Sequence, residues 1–152
     1  MIKSASSEIL KDLFGVDGQS VAVVGAATGF GRAATMLLAS LGAQVVAVAD
    51  DAQKLNAVVS AAQEAGGNVC AIHTDVTSES AVASAFAKIR ERNGRLDALI
   101  NAHTFLGRAT LPDASVSHWQ QHFDQNALPV FLACREAIKL MLAAGKPGGS
   151  LM

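Results

Sequence analysis

Short apolar runs alternate with amphipathic stretches along this chain, and that alternation admits few folds. The runs are Ser20–Val24, Gln44–Ala49, Asn68–His73 and Leu96–Asn101, and Ser150-Leu151-Met152 reads as the opening of a fifth. Helical patterns fill the gaps over 29–41, 52–65, 79–92 and 116–144. Near-continuous apolar strands are buried on both faces, so the pattern predicts a parallel sheet of about five strands covered by helices on both sides. Right-handed crossovers make this a doubly wound α/β fold, with a crevice at the carboxyl ends of the strands. Residues 1–152 read as one domain, with 1–18 as a lead-in segment that carries a short helical piece around Glu8–Phe14.

The helix faces follow from spacing. Ala33, Met36, Leu37 and Leu41 are expected to face inward in the first helix, Leu55, Val58, Val59 and Ala62 in the second, and Val82, Phe86 and Ile89 in the third. Gly42, Gly66-Gly67 and Gly94 end these helices, and Thr77 or Ser78 caps the third. Pro129 should loosen a turn of the long fourth helix near Asn126, and Lys146-Pro147-Gly148-Gly149 should break it.

Composition removes several function classes. Hydrophobic residues make up 51% and charged residues 16%, with a net charge of −1, so nothing favours nucleic acid or an anionic membrane as partner. No apolar run reaches the ~20 residues of a membrane span. Met1-Ile2-Lys3-Ser4 lacks the apolar core of a signal peptide, and Cys70 and Cys134 read as free thiols within apolar segments, so a cytoplasmic location is expected.

The first strand runs directly into Gly25-Ala26-Ala27-Thr28-Gly29-Phe30-Gly31 and then into a helix. Glycines there permit unusual backbone angles and close approach, and the helix N-terminus offers free N–H groups to an anion such as a phosphate. On the same edge of the sheet, Asp50 ends the second strand, Asp75 follows the third and Asn101 ends the fourth. A carboxylate at Asp50, or at Asp51 if the strand runs one residue longer, can accept both ribose hydroxyls of an adenosine and repels a 2′-phosphate. Lys54, the nearest cation, fits a solvated helix position. These features favour NAD over NADP. Asp75 is placed to reach the adenine edge, although a helix cap or turn carboxylate explains it equally.

These motifs resemble the short-chain dehydrogenase/reductase family. Gly25 to Gly31 is similar to that family's Thr-Gly-x-x-x-Gly-x-Gly turn with Val24 in place of the Thr, and Asp75-Val76-Thr77 matches its Asp-Val-Thr motif. Leu96 to Asn101 resembles the approach to its Asn-Asn-Ala-Gly segment, but Ala102, His103 and Thr104 depart from it. The resemblance spans roughly residues 8–152 and implies a Rossmann-type fold that lacks the family's C-terminal strands and helices. It implies an oxidoreductase cofactor site in which Gly25, Ala27, Thr28, Gly29, Phe30 and Gly31 shape the pyrophosphate pocket. Asp50 or Asp51 would hold the ribose, Asp75 and Val76 would border adenine, and Asn101, Ala102 and His103 would flank the central ribose. His103 reads as a substrate contact, a proton carrier or an ordinary loop histidine. Asn126 aligns with the family's helix asparagine, a structural member of its catalytic tetrad. The family's catalytic Ser, Tyr and Lys lie beyond the fifth strand, and the chain has no tyrosine at all. The expectation is therefore an incomplete enzyme, inactive alone. A nucleotide-binding regulatory module and another nucleotide-using enzyme such as a methyltransferase are the alternatives.

The sheet as read would leave Leu128, Phe131, Leu132, Ile138 and Leu140 partly uncovered, so self-association or a partner chain is expected through the helix over 116–144. Trp119 and Phe123 fit core or interface there. His118 and His122, four residues apart, share a helix face but have no third ligand nearby in the sequence, so no metal is expected.

Overall fold

The computed structural model describes residues 15–145 and 148–152; the expected helical piece over 8–14 and the break at Lys146-Pro147 lie outside the described residues. Five parallel strands form one sheet: β1 (Ser20–Val24), β2 (Gln44–Ala49), β3 (Asn68–His73), β4 (Ala98–Asn101) and β5 (Ser150–Leu151), in the order β3-β2-β1-β4-β5. Between them run α1 (Gly29–Ser40), α2 (Ala52–Glu64), α3 (Glu79–Asn93), α4 (Val116–His122) and α5 (Leu128–Ala143). Val24 pairs with both Val48 and Asn101, and Ala49 with His73, so the carboxyl ends of the first four strands share one edge. That is the doubly wound sheet the alternation implies, with its order reversing between β1 and β4.

Strand periodicity divides the interior into two layers. Val21, Val23, Val45, Ala47 and Val69 pack on one face with Leu55, Val59 and Ala62 of α2 and Ala39 of α1. Ala22, Val24, Val46, Val48 and Leu99 pack on the other with Phe86 and Ile89 of α3 and Leu132, Ala137 and Leu140 of α5. Each fully buried Leu or Val contributes roughly 1.5–3 kcal/mol. At the amino end, the Asp97 carboxylate accepts from Ser20 N–H at 2.8 Å and from Arg95 Nε at 2.9 Å, fixing β1 beside the approach to β4.

Three expectations need correction. The inward face of α1 is Gly31, Ala34, Thr35 and Ala39, whereas Leu37 and Leu41 are exposed and Ala33 lies outward. Small residues let this helix lie close to the sheet, so here side-chain size, and not the apolar stripe, decides orientation. Leu132 and Leu140 are buried; of the residues expected to be uncovered, only Leu128, Phe131 and Ile138 are. The reading of one long helix over 116–144 gives way to two helices joined by a π turn at Phe123–Ala127. There Leu128 N–H bonds back to Phe123 C=O, and the His122 carbonyl is taken by the Asn126 side chain at 3.1 Å. Pro129 has no N–H for the usual helical bond, which accounts for a widened turn just before it. The remaining helix faces are as expected, with Ser78 capping α3 and Gly94 ending it at φ +69°.

Among the described residues no helix is long and apolar enough to cross a membrane. Cys70 and Cys134 are free and half-buried, and burial pushes the Cys70 thiol upward in pKa. Trp119 and Phe123 stack at 5.2 Å between ring centroids yet stay exposed, so they are surface and not core.

Candidate functional site

A cleft of about 390 Å³ opens at the carboxyl edge of the sheet. One wall is the turn after β1, at Gly25, Ala27 and Thr28; a second is the end of β2, at Ala49, Asp50 and Asp51 with Lys54; the third is the segment after β4, from Ala102 to Phe105, with Gln125. An adjoining cleft of about 330 Å³ brings in Gly29 and Arg32 beside Thr28 and Lys54.

The glycine turn is built by close approach. Gly25 has φ +83°, and its N–H and that of Ala26 both donate to Val48 C=O, at 2.8 and 3.1 Å. A Cβ on Gly25 would collide with the His103 backbone, and one on Gly31 with the Gly25 carbonyl. Gly25 is thus required by the approach of the segment after β4, and Gly31 by the close seating of α1 on the turn. Behind them Thr35 Oγ1 donates to Gly31 C=O at 2.8 Å. The first turn of α1 holds no acidic residue, and Thr28, at its N-cap, makes no side-chain capping bond. Its first-turn N–H groups therefore have no capping side chain as acceptor, and Thr28 and Gly29 at this end line the clefts, as an anion site requires. Phe30 is 63% exposed and outside both clefts.

Asp50 and Asp51 differ in commitment. Asp51 caps α2, accepting Lys54 N–H at 3.0 Å and Lys54 Nζ at 2.7 Å. Those bonds from Lys54 hold its carboxyl below the usual carboxylate range, and they raise the Lys54 ammonium in turn. Lys54 is accordingly a cleft residue with a partner, a role its sequence position did not suggest. Asp50 lines the cleft, its carbonyl bonded to His73 Nε2 at 2.7 Å, and its carboxylate has no partner among the described residues.

Asp75 lies outside the cleft lining and closes a turn, accepting Thr77 N–H at 2.9 Å and Thr77 Oγ1 at 2.7 Å. The Thr77 bonds, with a further contribution from the Ser78 backbone, lower its carboxyl pKa. Val76 is buried in the core beneath it. Asn101 Nδ2 reaches Met152 C=O at 3.3 Å, while Asn101 Oδ1 and His103 Nε2 are buried without a hydrogen-bond partner among the described residues. Buried polar atoms of that kind cost roughly 1–3 kcal/mol unless something bonds them; His103 lines the cleft, whereas Asn101 lies outside its lining.

Asn126 stands beyond the cleft and organises one wall. Its Oδ1 accepts Phe105 N–H at 2.8 Å, and its Nδ2 donates to Phe105 C=O at 3.2 Å and to His122 C=O at 3.1 Å. One side chain thereby ties the segment after β4 to the π turn. Phe105 and Gln125 were not anticipated as lining residues; the departure at Ala102–Thr104 and the Pro129-centred loosening beside Asn126 were the sequence signals on this wall.

Comparison with known proteins assigns the class. The family model for short chain dehydrogenase matches residues 19–151, and the chain belongs to that family. It is 38% identical over 130 residues to the 3beta-hydroxysteroid dehydrogenase of Mediterraneibacter gnavus, covering 85% of this chain and 47% of that protein. The citronellol catabolism dehydrogenase of Pseudomonas aeruginosa superposes with TM-score 0.82 at 33% identity, over 90% of this chain and 56% of the other. A short-chain type dehydrogenase/reductase from Mycobacterium marinum gives TM-score 0.86 at 28% identity, over 93% and 57%. The chain spans about half the length of the curated relatives it matches. Members of the family use NAD or NADP.

Proposed function

We propose that these 152 residues form the cofactor-binding half of a short-chain dehydrogenase, hold NAD in preference to NADP, and perform no hydride transfer by themselves. The observation that supports the reading is the turn at Gly25, Ala27 and Thr28 facing the Asp50 carboxylate, which has no partner among the described residues, across one cleft. Bound there, the nicotinamide ring would accept or donate a hydride. The chain's own residues bind and orient. The turn at Gly25–Gly31 and the start of α1 receive the pyrophosphate, and Asp50 accepts the adenosine ribose hydroxyls. Asp51 is occupied by Lys54, so Asp50 carries that contact, and its charge disfavours a 2′-phosphate. Asp75 and Val76 border adenine, and Asn101, Ala102 and His103 flank the central ribose. Asn126 keeps Phe105 in place as a positioning residue; no side chain here is assigned a proton transfer at substrate.

The exposed apolar residues of α4, the π turn and α5, Trp119, Phe123, Phe131 and Ile138, support association with another copy or a partner chain. The test joins two measurements on the pure chain. NAD should raise its melting temperature, and an alcohol panel with NAD should yield no NADH. NAD-dependent turnover, or a melting temperature indifferent to NAD, would overturn the proposal.

A further inference from the structure

The expectation that His118 and His122 hold nothing rested on the lack of a third ligand in the sequence, and the fold supplies one from the backbone. The two Nε2 atoms converge to 3.2 Å, and the Gly107 carbonyl lies 3.0 Å from His122 Nε2. We propose that His118 Nε2, His122 Nε2 and the Gly107 carbonyl oxygen form a site for a borderline divalent cation of the Zn²⁺ type.

Tetrahedral Zn²⁺ holds imidazole nitrogens at about 2.0–2.1 Å, which places two of them roughly 3.3–3.4 Å apart. The observed separation matches that chelate. Both rings project from one turn of α4, so the helix pre-sets their spacing. Gly107 is the third requirement: a Cβ there would sit 2.7 Å from His118 Nε2 and 2.9 Å from His122 Nε2, in the space beside both nitrogens. The edge of Phe105 against the His122 ring, 5.4 Å between centroids at 65°, fixes its orientation. Both histidines are half-exposed, leaving the remaining coordination positions to water. Two neutral imidazoles and one amide oxygen suit Zn²⁺, Ni²⁺ or Cu²⁺ and are poor ligands for Mg²⁺ or Ca²⁺. No group of three or more His, Cys, Asp or Glu side chains exists among the described residues, so the site is an open chelate and weaker than a closed structural zinc centre. A cation there ties residues 105–107 to α4, beside the wall from which Phe105 lines the nucleotide cleft.

The test is titration of Zn²⁺ into the untagged full chain without nucleotide, followed by calorimetry and by the NMR signals of the histidine ring protons. One equivalent should bind and shift the His118 and His122 signals together, with Mg²⁺ inert. His118→Ala, His122→Ala and Gly107→Ala should each weaken binding at least tenfold; circular dichroism confirms that each variant is folded, and Gly107→Ala keeps both imidazoles in the chain while crowding their nitrogens. No Zn²⁺ binding by the wild-type chain, or binding that survives His118→Ala undiminished, would overturn the proposal and leave the pair as an N–H···N hydrogen bond. Because no nucleotide is present, either result leaves the NAD reading untouched.

Discussion

The β1–β2 side of the sheet and the α4–α5 flank solve the same packing problem to different degrees. Around β1 and β2 every strand residue except Gln44 is buried, and the glycine turn is fastened to β2 by two backbone bonds. On the flank, α5 buries Leu132, Ala133, Ala137 and Leu140 but shows Phe131 and Ile138 to solvent, and α4 buries nothing. Two walls of the cleft thus rest on a buried core, while the third, from Ala102 to Phe105, is tied to the exposed flank by Asn126 and by the contacts of His122 with Phe105 and Gly107.

The sharpest way to break this contrast is to disturb the β1–β2 side. Gly25→Val adds a Cβ against the His103 backbone at a positive φ, and the combined strain and overpacking should cost about 2–4 kcal/mol. Chemical denaturation would read that loss, together with disappearance of NAD binding. A pair of substitutions on α5 compares the two sides within one helix. Leu132→Ala, 2% exposed, should lose about 2–5 kcal/mol, whereas Phe131→Ala, 58% exposed, should stay within about 0.5 kcal/mol and reduce self-association in sedimentation. Equal losses at the two positions would mean that the flank is already covered.

Asn126→Ala addresses the link between the two regions. Removing three bonds should cost about 1–3 kcal/mol and speed amide exchange at Phe105, while leaving exchange in β1 and β2 unchanged. The smallest effect is the pH response of the two turn carboxylates. Asp51 and Asp75 both have folded pKa values below the ordinary 3.8. Their stabilisation is therefore present above about pH 4 and is lost as pH falls through the lowered folded values. Acid titration of the Asp75→Asn variant should show a shallower decline below pH 4 than the wild-type chain, the variant being slightly the less stable at neutral pH and the two curves converging in acid.

Much of this was legible because the strands leave little choice. Val21 to Val24 and Val45 to Ala49 read as buried on both faces, which implied the parallel sheet and the common edge of Gly25, Asp50 and Asn101; the strand order came only with the structure. Helix orientation was less legible where small residues decide: of the expected inward stripe only Met36 packs against the core, while Ala33, Leu37 and Leu41 face outward, because contact with the sheet runs through Gly31, Ala34 and Thr35. The site was legible where a motif is local, as in the glycine turn. It was not where partners are distant in sequence, as with Asn126 and Phe105, or where the ligand is a backbone carbonyl such as that of Gly107. Of Asp50 and Asp51, the sequence left both open; the pairing of Asp51 with Lys54 separates them only once α2 is placed.

The central claim is that the β1–β2 side holds NAD through Asp50. Calorimetric titration of NAD and NADP into the wild-type chain and Asp50→Asn tests it most directly. One NAD site is predicted, tighter than for NADP, with NAD affinity falling roughly tenfold or more in the variant, as loss of a charged hydrogen-bond acceptor implies. A folded wild-type chain that binds NADP more tightly, or NAD equally well without the Asp50 charge, would contradict the account.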